Sequence, residues 1–297
     1  MGAYAKSISN ATVRYRLTGA EQFALLAHTP LVRLHWLADH GSPATRRAAE
    51  LLSGFFRYHI RHRVRLTDQP TTVNVSLERS DFTSYREIFL AAEYALPFEM
   101  STVRTMVDLG GNIGMASLFF CATCPNLRRL LVVEANPRLI PKIKENLKEQ
   151  SARKEVAIEQ ACISHDPAPT TTFYVSDHHR LSLRDRSLYE DDTLSAITVP
   201  NVRFSDMLAR HDIESADLLK MDIEGSEFDV LDDADTLTRF RFLVAEVHGD
   251  AARREYFCKR LRGLGFSLPN DERHDPDVAY EVVFASREPE PSIVALS

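Results

Sequence analysis

A chain of 297 residues with 44% apolar and 26% charged residues suits a globular protein of one large domain, or one domain plus an appendage. The net charge of −6 argues against broad nucleic-acid binding, and no stretch approaches the roughly 20 uninterrupted apolar residues of a membrane span. Residues 1–20 lack a basic end followed by an apolar core, and four cysteines in a chain this long fit a reducing cytoplasm better than a disulfide framework. The charge is uneven: residues 1–70 carry ten Lys or Arg against four Asp or Glu, a balance of +6, which leaves about −12 on the rest.

The first 70 residues read as a basic helical region. Thr18 and Glu21 have capping-box spacing, Pro30 interrupts the pattern, and Ser42-Pro43 restarts a helix. In that second helix Leu51, Leu52, Phe55, Phe56 and Ile60 share a face, with Arg57, Arg61 and His62 largely elsewhere. From residue 71 to 297 the pattern is that of a second domain. Residues 72–77 alternate like a strand and 85–96 look helical. Strands at 103–108, 129–134 and 156–163 then alternate with helices at 112–123 and 137–149. A polar stretch at 164–195 is read without a strand; within it, Ser176 to Arg186 is a polar loop, read either as reaching over an acceptor or as an ordinary exposed loop. Residues 196–204, 218–221, 242–247, 265–268 and 279–285 read as strands, and 205–211, 226–232 and 251–263 as helices. Strands and helices joined by short connections predict an α/β fold with a mostly parallel sheet covered on both faces.

The chemistry is concentrated where strands end. Asp108 closes an apolar run, and glycines follow at 110, 111 and 114, with Asn112 and Ile113 between them. That is a strand, a tight turn and a helix start whose free amides can face a ligand. A dinucleotide fingerprint from Gly110 needs glycines at 112 and 115, which are Asn112 and Met115. The pattern instead resembles that of the Rossmann-like S-adenosylmethionine (SAM) methyltransferases. The second strand ends in Glu134-Ala135-Asn136, where an acid accepts hydrogen bonds from ribose hydroxyls. The fourth gives Lys220-Met221-Asp222-Ile223-Glu224-Gly225-Ser226-Glu227, and Asp222 should face the site; Glu227 suits a helix's first turn. In the fifth, Glu246 and His248 are two apart and share a strand face. Cys121 and Cys124 are read as small core residues rather than metal ligands.

Taken together, residues 107–114, 134–137, 219–227 and 246–248 resemble the FkbM family of SAM-dependent methyltransferases, over about residues 80–270. Arg86-Glu87-Ile88-Phe89 with Glu93-Tyr94 resembles that family's entry segment. Gly110-Gly111-Asn112 replaces the common Gly-Ala-Asn, and residues 1–70 match nothing in the pattern. The resemblance implies a Rossmann-like class I sheet with an antiparallel last strand. It also implies methyl transfer from SAM, usually to a hydroxyl on a natural product or sugar; the alternatives are a methyltransferase acting on nitrogen, carbon or RNA, and a SAM-binding protein without catalysis. Asp108, Gly110, Gly111, Asn112, Ile113, Gly114, Glu134, Ala135, Asn136, Cys162, Asp222, Glu87 and Tyr94 become the expected cofactor-binding positions. His248, Asp222 and Glu246 become the expected catalytic group. In it His248 is either a general base, the favoured reading, or a ligand with Asp222 and Glu246 to a divalent metal. The expected partner is a small hydroxylated acceptor, with no nucleic acid and no membrane; a homo-oligomer is compatible, and the compartment is the cytoplasm.

Overall fold

The computed structural model describes Ser42, Ala44 and residues 58–64, 71–78, 81–175, 182–183, 194–269 and 280–288. The helices expected before residue 58 lie outside them, as does all but 182–183 of the loop at 176–186. Two compact units emerge, residues 1–95 with 296–297, and residues 96–295. The division falls at 95/96, whereas the composition changes near residue 70.

In the first unit, strands β1 (Tyr58–Val64) and β2 (Thr71–Leu77) form an antiparallel pair. The helix expected to run through Ile60 and His62 is thus a strand at that point. Ile60, His62 and Val64 are buried beside exposed His59 and Arg61. That alternation has period 2, and pairing with β2 selects it over the helical spacing of Leu51 to Ile60. The segment expected to be helical over 85–96 is shorter, a turn of helix α1 (Phe82–Tyr85) running into a π-helical turn (Arg86–Leu90). It stops before Ala92, whose φ is 55°.

The second unit is built on strands β3 (Thr105–Leu109), β4 (Arg129–Glu134), β5 (Glu155–Gln160), β10 (Ala216–Met221), β11 (Phe240–His248) and β12 (Tyr280–Ser286). Their order is β12-β11-β10-β3-β4-β5, all parallel except β12, which pairs antiparallel with β11. Five helices follow the strands: α2 (Met115–Thr123), α3 (Ile140–Asn146), α5 (Phe204–Arg210), α6 (Glu227–Asp232) and α8 (Ala251–Gly263). Short helices α4 (Lys148–Ser151) and α7 (Ala234–Leu237) extend α3 and α6. One sheet face, with Val107, Leu219, Leu243 and Val247, packs on Met207, Leu231 and Phe257 of α5, α6 and α8. The opposite face carries Asp108, Lys220 and Glu246 and takes α2, all nine of whose residues are buried. Cys121 within it and Cys124 just after it are buried free thiols, and burial pushes both up to about 12. The resulting class I sheet with its antiparallel edge is the expected fold class.

Two stretches differ from expectation. The strand expected over 156–163 breaks at Ala161, whose N–H bonds the Glu134 carbonyl; β6 (Cys162–Ile163) then leaves for a second sheet. That sheet, ordered β6-β9-β7-β8, also holds β7 (Thr170–Val175), β8 (Ser182–Leu183) and β9 (Ser195–Val202). The polar stretch therefore contains a strand, because Phe173 and Val175 alternate inward onto Val199 while Thr170 and Thr172 face out. The short strand expected at 265–268 is a single bridge, Ser267 to Ser286. Among the described residues no helix is long and apolar enough to cross a membrane.

Candidate active site

Parallel strands place their carboxyl ends along one sheet edge, and ligands bind outside it. Here an open cleft with about 600 Å³ of free space runs along that edge, partly shared with solvent. The sheet order fixes what meets it: Asp222 after β10, Gly110 and Asn112 after β3, Glu134 and Ala135 at β4, and Ala161 and Cys162 after β5. Three strand spacings of about 4.8 Å separate the ends, about 14 Å in all. The β10 end is polar, with Asp222, Glu224 and Ser226; the β5 end is apolar, with Leu139, Ile163 and Phe173.

Glu134 sits between them. Its Oε2 accepts the Asn112 N–H and its Oε1 the Asn136 N–H, both at 2.8 Å. Burial pushes this carboxyl up to about 7; the two N–H donors and Lys220 pull against that, and Asp222 adds to it. Four lone-pair positions on a carboxylate leave room for hydroxyl donors beside the two amides. Asn136 is buried, and its Oδ1 caps Arg138 N–H at 3.1 Å.

The glycine turn is shaped by the neighbouring strand. Gly110 has φ +80°, and a Cβ there would stand 1.6 Å from the Asp222 carbonyl oxygen. A Cβ on Gly111 would meet Val132 at 2.3 Å, and Gly114, with φ 83°, caps α2. Ile113 is buried and its carbonyl accepts from Asn146 Nδ2 at 2.8 Å. Gly111, Ile113, Gly114 and Asn136 thus build the floor, while Gly110, Asn112, Glu134, Ala135, Cys162 and Asp222 line the cleft.

Asp108 does not face the cleft. It is fully buried, accepting from Ser117 Oγ at 2.5 Å and pairing with Lys220 Nζ at 3.2 Å. Lys220 Nζ also donates to the Gly110 carbonyl at 2.7 Å and lies 3.9 Å from Asp222. Burial favours the neutral amine, but Asp108, Asp222 and Glu246 outweigh it and raise its pKa. Lys220 therefore ties β3, the glycine turn and β10 together. Its place was open to sequence reasoning, because a lysine inside an apolar strand needs a buried partner.

At the polar end His248 is 6% exposed, with Nδ1 3.1 Å from Glu227 Oε1 and Nε2 3.4 Å from Glu224 Oε2. Glu227 is fully buried and also accepts the Ile223 and Gly225 N–H groups at 3.1 and 2.9 Å. Its place in a helix's first turn is correct, but it has a further task, holding the loop and the imidazole. Burial works against the imidazolium, yet Glu227, then Glu224 and Asp222, push His248 up to about 10. These acids favour the imidazolium over the neutral ring when no cation competes for Nε2, so the unperturbed pKa expected of a proton acceptor here does not hold. Asp222, Glu224 and His248 each bring a ligand atom within 4.8 Å of the others. Glu246, expected in that group, lies two residues earlier on β11, about 6.6 Å further from the strand's end. It acts there on Lys220, and Glu224 takes its place. Glu87 and Tyr94 belong to the first unit, where Glu87 pairs with Arg86 at 3.0 Å and Tyr94 is buried.

Residues 108–268 match the family model described as the methyltransferase FkbM domain. The chain is also 32% identical over 238 residues to the 31-O-demethyl-FK506 methyltransferase FkbM of Streptomyces tacrolimicus, covering 69% of this chain and 88% of that one. The chain belongs to the FkbM methyltransferase family. Among solved structures, a methyltransferase FkbM of Methylobacillus flagellatus is 13% identical, with TM-score 0.39 over 69% of this chain and 53% of that one. Fibrillarin of Aeropyrum pernix, solved with natively bound SAM, is 16% identical, with TM-score 0.38 over 62% of this chain and 66% of that one. The stretch matched to the FkbM model contains every residue lining the cleft, from Gly110 through Glu134 to Asp222 and Ser226. It leaves the first unit outside.

Proposed function

We propose that this FkbM family member transfers the methyl group of SAM to a hydroxyl of a natural product or a sugar-containing small molecule. The observation that carries the reading is the Glu134 carboxylate, set midway along one cleft between an apolar and an acidic end. SAM has matching polarity along its length. Its adenine suits Leu139, Ile163 and Phe173, its ribose hydroxyls suit Glu134, and its methionine end suits the polar side of the cleft beyond Glu134. The printed name of the Streptomyces relative, a 31-O-demethyl-FK506 methyltransferase, supports oxygen as the accepting atom.

Bound SAM supplies an electrophilic methyl group on a sulfonium that leaves as a neutral thioether. The protein's own task is alignment of acceptor oxygen, methyl and sulfur, which can supply much of the rate. As the carbon–oxygen bond forms, the carbon–sulfur pair goes to sulfur and the O–H becomes strongly acidic. A carboxylate is then basic enough to take the proton, and Asp222, one quarter exposed at the strand tip, faces the cleft. His248 holds Glu224, and Asp108, with Asp222 and Glu246, keeps Lys220 charged. Calorimetry with SAM, followed by transfer of labelled methyl to a panel of hydroxylated compounds, tests the reading. A folded protein with no affinity for SAM would overturn it.

A further inference from the structure

We propose that Asp222, Glu224 and His248 form a divalent-cation site at the acidic end of the cleft, suited to Mg²⁺ or Mn²⁺. The site deepens the reading above: a cation there would hold the acceptor oxygen beside the methyl group, and Asp222 would then serve as its ligand in place of the base. Their ligand atoms lie within 4.8 Å of one another. Trans ligands of a hard cation with bonds of about 2.1 Å stand about 4.2 Å apart, so a small closure completes the geometry. Two carboxylates and one imidazole favour Mg²⁺, Mn²⁺ or Fe²⁺ over the soft metals that take thiolates.

The surroundings of the cluster point to the same role. Metal-bound histidines give their second ring nitrogen to a carboxylate that fixes tautomer and orientation. Glu227 does this here: fully buried, it takes Nδ1 of His248 at 3.1 Å and leaves Nε2 facing Glu224. The same carboxylate bonds the Ile223 and Gly225 N–H groups on either side of Glu224. One buried group therefore positions two of the three ligands. Glu224 itself has φ 51°, a left-handed backbone that a non-glycine residue adopts at some expense. The Asp222 and Glu224 side chains are 25% and 21% exposed, which leaves a path from solvent.

The test uses the whole chain with Mn²⁺ alone, read by loss of the free-ion paramagnetic resonance signal. The expected result is one Mn²⁺ per chain, bound at least about tenfold more weakly in Glu224→Gln and His248→Gln. Glu227→Gln, which keeps the shape but weakens the hold on Nδ1, should lose about 10- to 100-fold. Circular dichroism and the denaturant unfolding transition of each variant report whether the chain has folded, and Asp222→Asn replaces any variant that has not. No Mn²⁺ binding up to about 1 mM, or equal binding in the folded variants, would overturn the cation site. Retained SAM affinity in that case leaves the methyltransferase reading standing. Mn²⁺ binding without SAM affinity would do the reverse.

Discussion

Glu134 has one carboxylate and two tasks, holding the turn amides of Asn112 and Asn136 and, in the proposed function, the ribose of SAM. Its pKa of about 7 gives that function a pH signature. Hydroxyl donors favour the ionised form, so SAM binding below about pH 7 should release a proton. Affinity should rise as pH rises through 7 and then level off. Calorimetry in buffers of different ionisation enthalpy reads the proton directly; heats independent of buffer at pH 6 would contradict it. Glu134→Gln should weaken SAM by about 1.5–3 kcal/mol, read the same way. His248 carries the other signature. Its folded pKa of about 10 stands above the unfolded 6.5, so its stabilisation is complete below pH 6.5 and is lost as pH rises through 10. Denaturant unfolding between pH 7 and 10 should show a fall that His248→Gln flattens; equal slopes in both proteins would remove the imidazolium from the account. Lys220 is a buried cation between β3 and β10. Lys220→Met would leave Asp108 charged and unpaired, and should lower stability by about 3–5 kcal/mol in chemical denaturation.

At the scale of elements, the glycine turn shows how two strands share one constraint. A Cβ on Gly110 would stand 1.6 Å from the Asp222 carbonyl oxygen, where β10 runs beside β3. The glycine is needed for strand packing before any ligand arrives. Gly110→Ala should therefore abolish folding rather than only SAM affinity; soluble expression with a native unfolding transition would show that β10 can yield. The repeat of apolar runs made most of the sheet legible, and β4 and α8 fall where the spacing places them. What pattern alone misplaced has a physical cause in each case. Near Ile60 the helical and the alternating spacing overlap, and only pairing with β2 decides between them. At Ala161 the apolar run continues, but its backbone changes partners from β4 to β9. Phe173 and Val175 were lost among threonines because one short alternation in a polar stretch is a weak signal until a sheet gathers it.

At the scale of the whole molecule, every residue lining the cleft belongs to the unit of residues 96–295. A chain of residues 96–297 should accordingly keep its SAM affinity within about 0.7 kcal/mol, a factor of three, in calorimetry. A folded fragment without affinity would assign part of the cofactor site to the first unit. The basic balance of residues 1–70 beside an acidic remainder suggests an acceptor-side role, so methyl transfer should fall further than SAM affinity in that fragment. The sequence by itself determined the alternation of strands and helices, the glycine turn, the acid at the second strand tip and the acidic fourth strand end. Each is local, written in spacing and in residue types with few other uses. Tertiary structure alone decided which acids meet. Asp108 turned inward to Lys220, Glu246 stayed below the edge, and Glu224 came over to His248. Strand period fixes the face on which a side chain lies, but its height at the sheet edge and its partner across a loop depend on how neighbouring strands are registered.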